Sequence, residues 1–478
     1  MSDVKYSSRR NTANRRPDTY MAKEEKKKTI WEKRGLEAIN AFADEYKAYM
    51  SVHKTERENV QGMEEGLKQA GAYTLDEVKE KKISLKPGDL VYDDMMKKSL
   101  MIVRIGRKPI TDGARLLGAH IDSPRLDLKQ HPLYEDTDMA FFDTHYYGGI
   151  KKYQWVTLPM ALHGVIAKKD GTVVNVCVGE DPSDPVFGVS DLLIHLASRQ
   201  MSKKASEVIE GENLNILVGS RPLEGEDKDA VKAGILALLK EKYDVTEDDL
   251  VSAEIEVVPA GAARDYGLDR SMVMCYGQDD KVCAYPSYRA IMDEKDPEYT
   301  SICLLTDKEE IGSVGATGMH SRFFENTLAE VMNALGVYSE LELRRTLTKI
   351  RVLSSDVSAG FDPTYPDVMD KNNCAYLGRG PVFNKYTGSR GKSGSNDANA
   401  EYIAFLRGIM DKEDISCQTA ELGKVDAGGG GTIAYILANL GMQVIDFGVP
   451  VLNMHAPWEI TSKADIYETY LAYRAFVK

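Results

Sequence analysis

Two histidines and six acids able to bind or serve a metal ion fall in five short patches of the chain. They are His120 and Asp122 in GAHIDSPRLD, Asp279 and Asp280 in GQDDKVC, Glu309 and Glu310 in TDKEEIGS, Asp356 in SSDVSAG, and His455 in PVLNMHAPW. Each lies beside a strand-like run. A paired-metal hydrolase needs this chemistry: oxygen and imidazole ligands, a carboxylate that bridges two ions, and a free carboxylate to carry protons. One such patch alone is weak evidence, because core histidines, helix caps and solvated acid clusters are common. Five in one chain are strong evidence.

The residue types suggest a division of labour. His120 and Asp122 are two apart at a strand end and so share a face. A ligating imidazole usually gives its other N–H to a carboxylate or carbonyl, and Asp122 can serve His120 in this way. Asp279 follows a strand and opens a helix, where a carboxylate can hold two cations ~3.5–4 Å apart. Asp280 suits an orienting or helix-capping role. Of the adjacent acids, Glu309 is read as the proton shuttle and Glu310 as a ligand, although the sequence is compatible with either order. The following GSVGATG favours a site over a solvated acid cluster, since small residues let backbone approach closely. Asp356 and His455 complete a five-ligand set with His120, Asp279 and Glu310. One consistent assignment shares Asp279, with His120 and Asp356 on one ion and Glu310 and His455 on the other. Such ligands suit zinc, with cobalt or manganese as alternatives.

The elements that must position these residues follow from periodicity. Ile30, Trp31, Leu36, Ile39, Phe42, Tyr46 and Met50 recur at helical intervals, with Thr29 and Glu32 placed for a capping box. A second helix carries Val60, Met63, Leu67 and Ala70. Residues 101–105 and 115–119 read as strands, the second running into His120. SMVMC, SICLLTD, IRVLSSD and VIDFGVPVL are further apolar strands ending at or near candidate ligands, and helical segments lie between them. This alternation implies an α/β/α sandwich on a mixed sheet, with its site beyond the strand carboxyl ends. Residues 129–269 differ: short strands, Gly-containing turns, helices expected around 191–200 and 230–240, and none of the metal patches. The expected organisation is therefore a catalytic domain over 1–128 and 270–478, interrupted by a smaller, mainly β domain over 129–269. Residues 1–28, polar and basic, read as an arm.

At 478 residues two domains are expected. A formal charge of −13 excludes nucleic acid and anionic membrane surfaces as main partners. No stretch approaches a membrane span, and no apolar run follows the first charged residues. The six cysteines are scattered, without a CxxC pair, which fits a reducing compartment. The expected location is cytoplasmic.

Taken together, GAHIDSPRLDLK, GQDDKVCAY, DKEEIGS, SSDVSAGFDPTY, GRGPVFNKY and PVLNMHAP, spread from about residue 118 to 457, resemble the aspartyl aminopeptidase and vacuolar aminopeptidase I family of zinc peptidases. The resemblance implies two zinc ions per subunit in the roles above, a peptide substrate, and an inserted domain that dimerises. It also implies a homo-oligomer built from dimers, often a dodecamer of six. Where acid-preferring members carry a PHLAIHL-like segment, this chain has VSDLLIHL, with Asp191 at the first histidine position and His195 at the second. His195 is thus the candidate for reaching a neighbour's site. Lys385 or Arg379 are candidates to bind an acidic side chain. In GKVDAGGGGTIAY, Asp426 and glycines such as Gly429 are candidates to contact the substrate's amine and backbone. The expected reaction is release of acidic or bulky apolar N-terminal residues. The rival readings are a two-metal deacylase or carboxypeptidase-like amide hydrolase, and a non-catalytic scaffold of the same fold.

Overall fold

The computed structural model describes residues 28–478; the expected arm lies outside the described residues except for Lys28. Its centre is a nine-stranded mixed sheet. Four neighbouring strands run parallel: Thr300–Thr306, Ala114–His120, Arg351–Ser354 and Gln443–Gly448. Antiparallel strands flank them, Ser99–Arg104 on one side and Val382–Asn384 on the other. Thr300–Thr306 is buried throughout, the continuous apolar pattern of a strand covered on both faces.

Alternation divides each central strand between two cores. Leu117, Ala119, Cys303, Leu305, Leu353, Ile445 and Phe447 face the core that contains residues of helices Glu56–Gln69, Gln278–Asp293 and Ala400–Lys412. Leu116, Ile302, Leu304, Val352 and Val444 face the core of helices Phe323–Ala334 and Glu340–Leu347. This is an α/β/α sandwich. Its parallel strands all end on one side, so His120 and the residues just after Thr306 and Ser354 emerge together. Gly448 ends the fourth strand because backbone crosses there: a Cβ would sit 1.8 Å from the Asp356 carbonyl oxygen.

A seven-stranded antiparallel sheet begins at Arg125 and ends at Pro259. It packs its own core, including Trp155, Leu162, Ile216 and Val257. A helix forms at Ala230–Tyr243 as its periodicity suggests. The helix expected around 191–200 does not; only 3₁₀ turns occur, at Ile194–Leu196 and Gln200–Ser202. Leu192, Leu193, Ile194 and Leu196 are exposed, and a short apolar segment without a packing surface cannot offset the cost of helix nucleation. The first expected helix is also divided, into Ile30–Arg34 and Leu36–Val52, where Gly35 takes φ +83°. Its Thr29–Glu32 capping box is present. Among the described residues no helix is long and apolar enough to cross a membrane.

Candidate metal centre

His120 is the last residue of its central strand, buried, with Nε2 3.1 Å from Asp279 Oδ1. Asp279 reaches this point from the Met272–Cys275 strand of a separate five-stranded sheet, at a helix start where Asp279 and Asp280 have non-helical angles. The other Asp279 oxygen, Oδ2, lies 3.3 Å from His455 Nε2, and Glu310 Oε2 lies 3.4 Å from the same nitrogen. His455 occupies the loop between Pro450–Leu452 and Glu459–Ser462 in that smaller sheet, with φ +65°. Glu309 and Glu310 form a 3₁₀ turn after Thr306, and Asp356 follows Ser354. Two sets of donor atoms result, each gathered within 4.8 Å: His120, Asp279 and Asp356, and Asp279, Glu310 and His455. Asp279 belongs to both.

The surroundings fix the orientation of these donors. His120 Nδ1 donates to the Asp122 carbonyl at 3.0 Å, leaving Nε2 toward the centre, and the Asp122 carboxylate is 3.3 Å from Nδ1. His455 Nδ1 likewise donates to the Gly149 carbonyl at 2.7 Å. The Asp122 carboxylate also accepts from the backbone N–H groups of Glu309 and Glu310, at 3.1 and 3.2 Å, and from the Tyr147 hydroxyl at 2.8 Å. One carboxylate thereby sets both the imidazole and the acidic turn. Glu459 does the same on the other side, accepting from Asp279 N at 3.0 Å and His455 N at 2.8 Å. Asp280 accepts from the backbone N–H of His120 at 3.4 Å, an orienting role.

The electrostatics are those of acids crowded without enough positive charge. Burial, opposed by His120 and reinforced by Asp279 and Asp122, lifts Glu309 to about 7. Burial and neighbouring carboxylates raise Glu310 and Asp356 well above the carboxylate range. Asp279 differs, as does Asp122: burial pushes Asp279 up, but hydrogen bonds from His120 and His455 prevail and hold it low. Burial opposes charge on His455, yet its bond to Asp279 and the charges of Glu310 and Asp279 raise it to about 10. Glu310 Oε1 is buried with no hydrogen-bond partner. Two imidazoles turned inward, a low-pKa carboxylate shared between two donor sets and an orphaned carboxylate oxygen fit divalent zinc.

A cavity of about 700 Å³ opens onto this cluster. Asp279, Glu309, Glu310, Asp356 and His455 form part of its wall, and Gly429 lies in its lining, paired with Ser389 in a short strand contact. Among the described residues, no Lys or Arg lines it. Lys385 instead pairs with Asp397 at 2.5 Å, and Arg379 stacks on the Tyr376 ring. Asp426 lines a separate hollow with Lys371 and Lys424. His195 stands in an exposed turn of the inserted sheet's domain. Within one subunit, then, four of the five candidate ligands, Glu309 and Gly429 line the cavity, His120 lies buried against Asp279 outside the lining, and Lys385, Asp426 and His195 do not line it. Sequence reasoning passed over Tyr147, Gly149 and Glu459. The Tyr-Gly-Gly of THYYGG was the available signal for the first two; nothing local marks Glu459.

Residues 49–477 match the family described as aminopeptidase I zinc metalloprotease (M18). The chain is 62% identical to a Clostridium acetobutylicum protein named probable M18 family aminopeptidase 1, over 94% of this chain and 98% of that one. The crystal structure of aminopeptidase I from the same organism superposes with a TM-score of 0.88 at 60% identity, covering 94% of this chain and 99% of that one. An M18 aminopeptidase from Thermotoga maritima superposes with a TM-score of 0.91 at 44% identity, covering 95% and 100%.

Proposed function

The chain belongs to the aminopeptidase I (M18) family of zinc metalloproteases and is a metalloaminopeptidase, and we propose that it acts through two zinc ions per subunit shared across Asp279. The observation that carries this reading is the pair of donor sets meeting at the two oxygens of Asp279. His120 and Asp356 would hold one ion, and Glu310 and His455 the other. Bound there, zinc supplies Lewis acidity at the scissile carbonyl and acidifies the attacking water.

The remaining work belongs to the chain. Glu309 lies 4.0 Å from His120 Nε2, inside the cavity but outside both donor sets. Its carboxylate takes the proton of the attacking water and returns one to the leaving amine. Asp122 holds the Glu309–Glu310 backbone and the His120 ring in one hydrogen-bond network, so base and ligands keep a common register. The substrate's free amine is held at the acidic end of the cavity, which selects a chain terminus over an internal bond. The lining, free of Lys and Arg among the described residues, favours a bulky apolar side chain over an acidic one.

The reading extends to assembly and location. The exposed run Leu192, Leu193, Ile194, Leu196 and Met201 in the inserted domain supports a homo-oligomer built from dimers. Six free cysteines support a reducing cytoplasm. The test is hydrolysis of Leu, Met, Lys, Asp and Glu chromogenic amides beside N-acetylated counterparts, with and without chelator. Chelator-sensitive release from Leu or Met, none from the acetylated forms, is the expected result. Cleavage of the acetylated substrates would replace this reading with a deacylase.

A further inference from the structure

A helix of the sandwich meets the inserted sheet at a second cluster of metal-binding side chains, separate from the catalytic cavity. His163 on strand Met160–Ala167 and Cys177 on strand Val173–Val178 are register partners in the inserted antiparallel sheet. Directly opposed residues of such a pair project on the same face, with Cβ atoms about 4.5–5.5 Å apart. Glu58 approaches from the sandwich. It is the third residue of helix Glu56–Gln69, and its Oε2 is committed to the capping box, accepting from Lys54 N at 2.8 Å and Thr55 N at 3.0 Å. That leaves Oε1 pointed at His163 Nδ1, 2.7 Å away. One donor atom each from Glu58, His163 and Cys177 lies within 4.8 Å of the other two.

The second ring nitrogen is also accounted for. His163 Nε2 is 3.0 Å from Glu180 Oε1. Glu180 is itself fixed, by the Lys54 ammonium and by the backbone N–H of Gly261 at 3.1 Å. A metal-ligating histidine characteristically donates its other N–H to an anchored carboxylate, which sets the tautomer and raises ligand basicity. His163 is buried and Cys177 exposed, so the cluster has a fixed inner wall and a side open to solvent.

We propose that Glu58, His163 and Cys177 form a further metal site at the junction between the sandwich and the inserted sheet, taking a borderline-soft divalent ion such as zinc or cobalt. Thiolate, imidazole and carboxylate together match that class of ion rather than magnesium or calcium. Binding displaces the protons of the thiol and of Nδ1 while Nε2–H stays on Glu180. The ion would join a helix of one domain to two strands of the other. This goes beyond the peptidase reading, and neither depends on the other.

The probe is cobalt(II) added to chelator-stripped protein under a non-thiol reductant. The catalytic cluster's candidate ligands are nitrogen and oxygen donors, so thiolate-to-cobalt charge-transfer absorption in the near ultraviolet does not come from them, and its dependence on Cys177 assigns it to the junction site. The expected result is that band in the full chain, and its loss in Cys177→Ser together with one bound cobalt per chain, while peptidase activity is kept. His163→Asn should also lose the band; if it fails to fold, Cys177→Ser decides. Cobalt-saturated, active protein without the band would overturn the proposal. So would a band undiminished in Cys177→Ser.

Discussion

Tyr147→Phe is the most informative small perturbation of the catalytic cluster. It removes one hydroxyl that touches no candidate ligand. Asp122 has four donors around its carboxylate: His120 Nδ1 at 3.3 Å, Glu309 N at 3.1 Å, Glu310 N at 3.2 Å and Tyr147 Oη at 2.8 Å. The hydroxyl bond is the shortest of them. A hydrogen bond to a charged group contributes about 1.5–3 kcal/mol, which corresponds to roughly 10- to 100-fold when it is felt at the site. Loss of partners that orient metal ligands falls in the same range, about 10–100-fold in affinity or activity. Zinc affinity and kcat/KM on a Leu amide should therefore each fall at least about tenfold. Saturating zinc should restore part of the loss. Arg125 lies 3.8 Å over the Tyr147 ring and keeps its own ion pairs with Glu56 and Glu256, so the variant should fold. Unchanged zinc affinity and kcat/KM would refute the claim that Asp122 orients the cluster through this network.

Three further outcomes follow from the same geometry. Glu309→Gln should lose about 10²–10⁴-fold in kcat while retaining wild-type zinc content, checked by metal analysis beside kinetics. Asp446 is buried, and burial raises it to about 7 against the opposing Thr432 and Ser354 hydroxyls. Its folded pKa exceeds its unfolded value, so the folded state holds a proton that the unfolded state has released, and stability falls as pH rises from about 4 to 7. Asp446→Asn should thus raise the melting temperature at pH 8 and change it little at pH 4; the reverse order would contradict this. Lys385→Ala should leave the ratio of kcat/KM for Leu and Asp amides unchanged, because Lys385 pairs with Asp397 outside the cavity lining.

The residues that meet around Asp279 could be picked from sequence because each follows a buried strand whose apolar run is unmistakable. Thr300–Thr306 and Ala114–His120 carry the apolar runs 302–305 and 116–119, and a metal-binding residue type just after such a run stands out. The sandwich was legible for the same reason. What supports the ligands was not. Tyr147 and Gly149 arrive at the end of the inserted sheet's Met139–Tyr147 strand, and Glu459 comes from a strand of the small sheet. Gly149 meets His455 and Glu459 meets Asp279 across more than a hundred residues, and Tyr147 reaches Asp122 through the pairing of Met139–Tyr147 with Arg125–Asp136, none of which a local pattern encodes. The helix expected over 191–200 failed through a related gap: periodicity supplied an apolar stripe, but the chain supplies no surface to bury it. Lys385 is a candidate only through the resemblance around GPVFNKY, while its partner Asp397 is set by the loop between them.

The most direct test of the shared-carboxylate centre is the zinc content of the Asp279→Ala variant against the wild type, both stripped and reconstituted, by elemental analysis. As a difference, this count is insensitive to any ion bound elsewhere. Two zinc ions lost per chain, with His120→Ala and His455→Ala each weakening a single ion, is the predicted result; a loss of one ion or none from Asp279→Ala would contradict it.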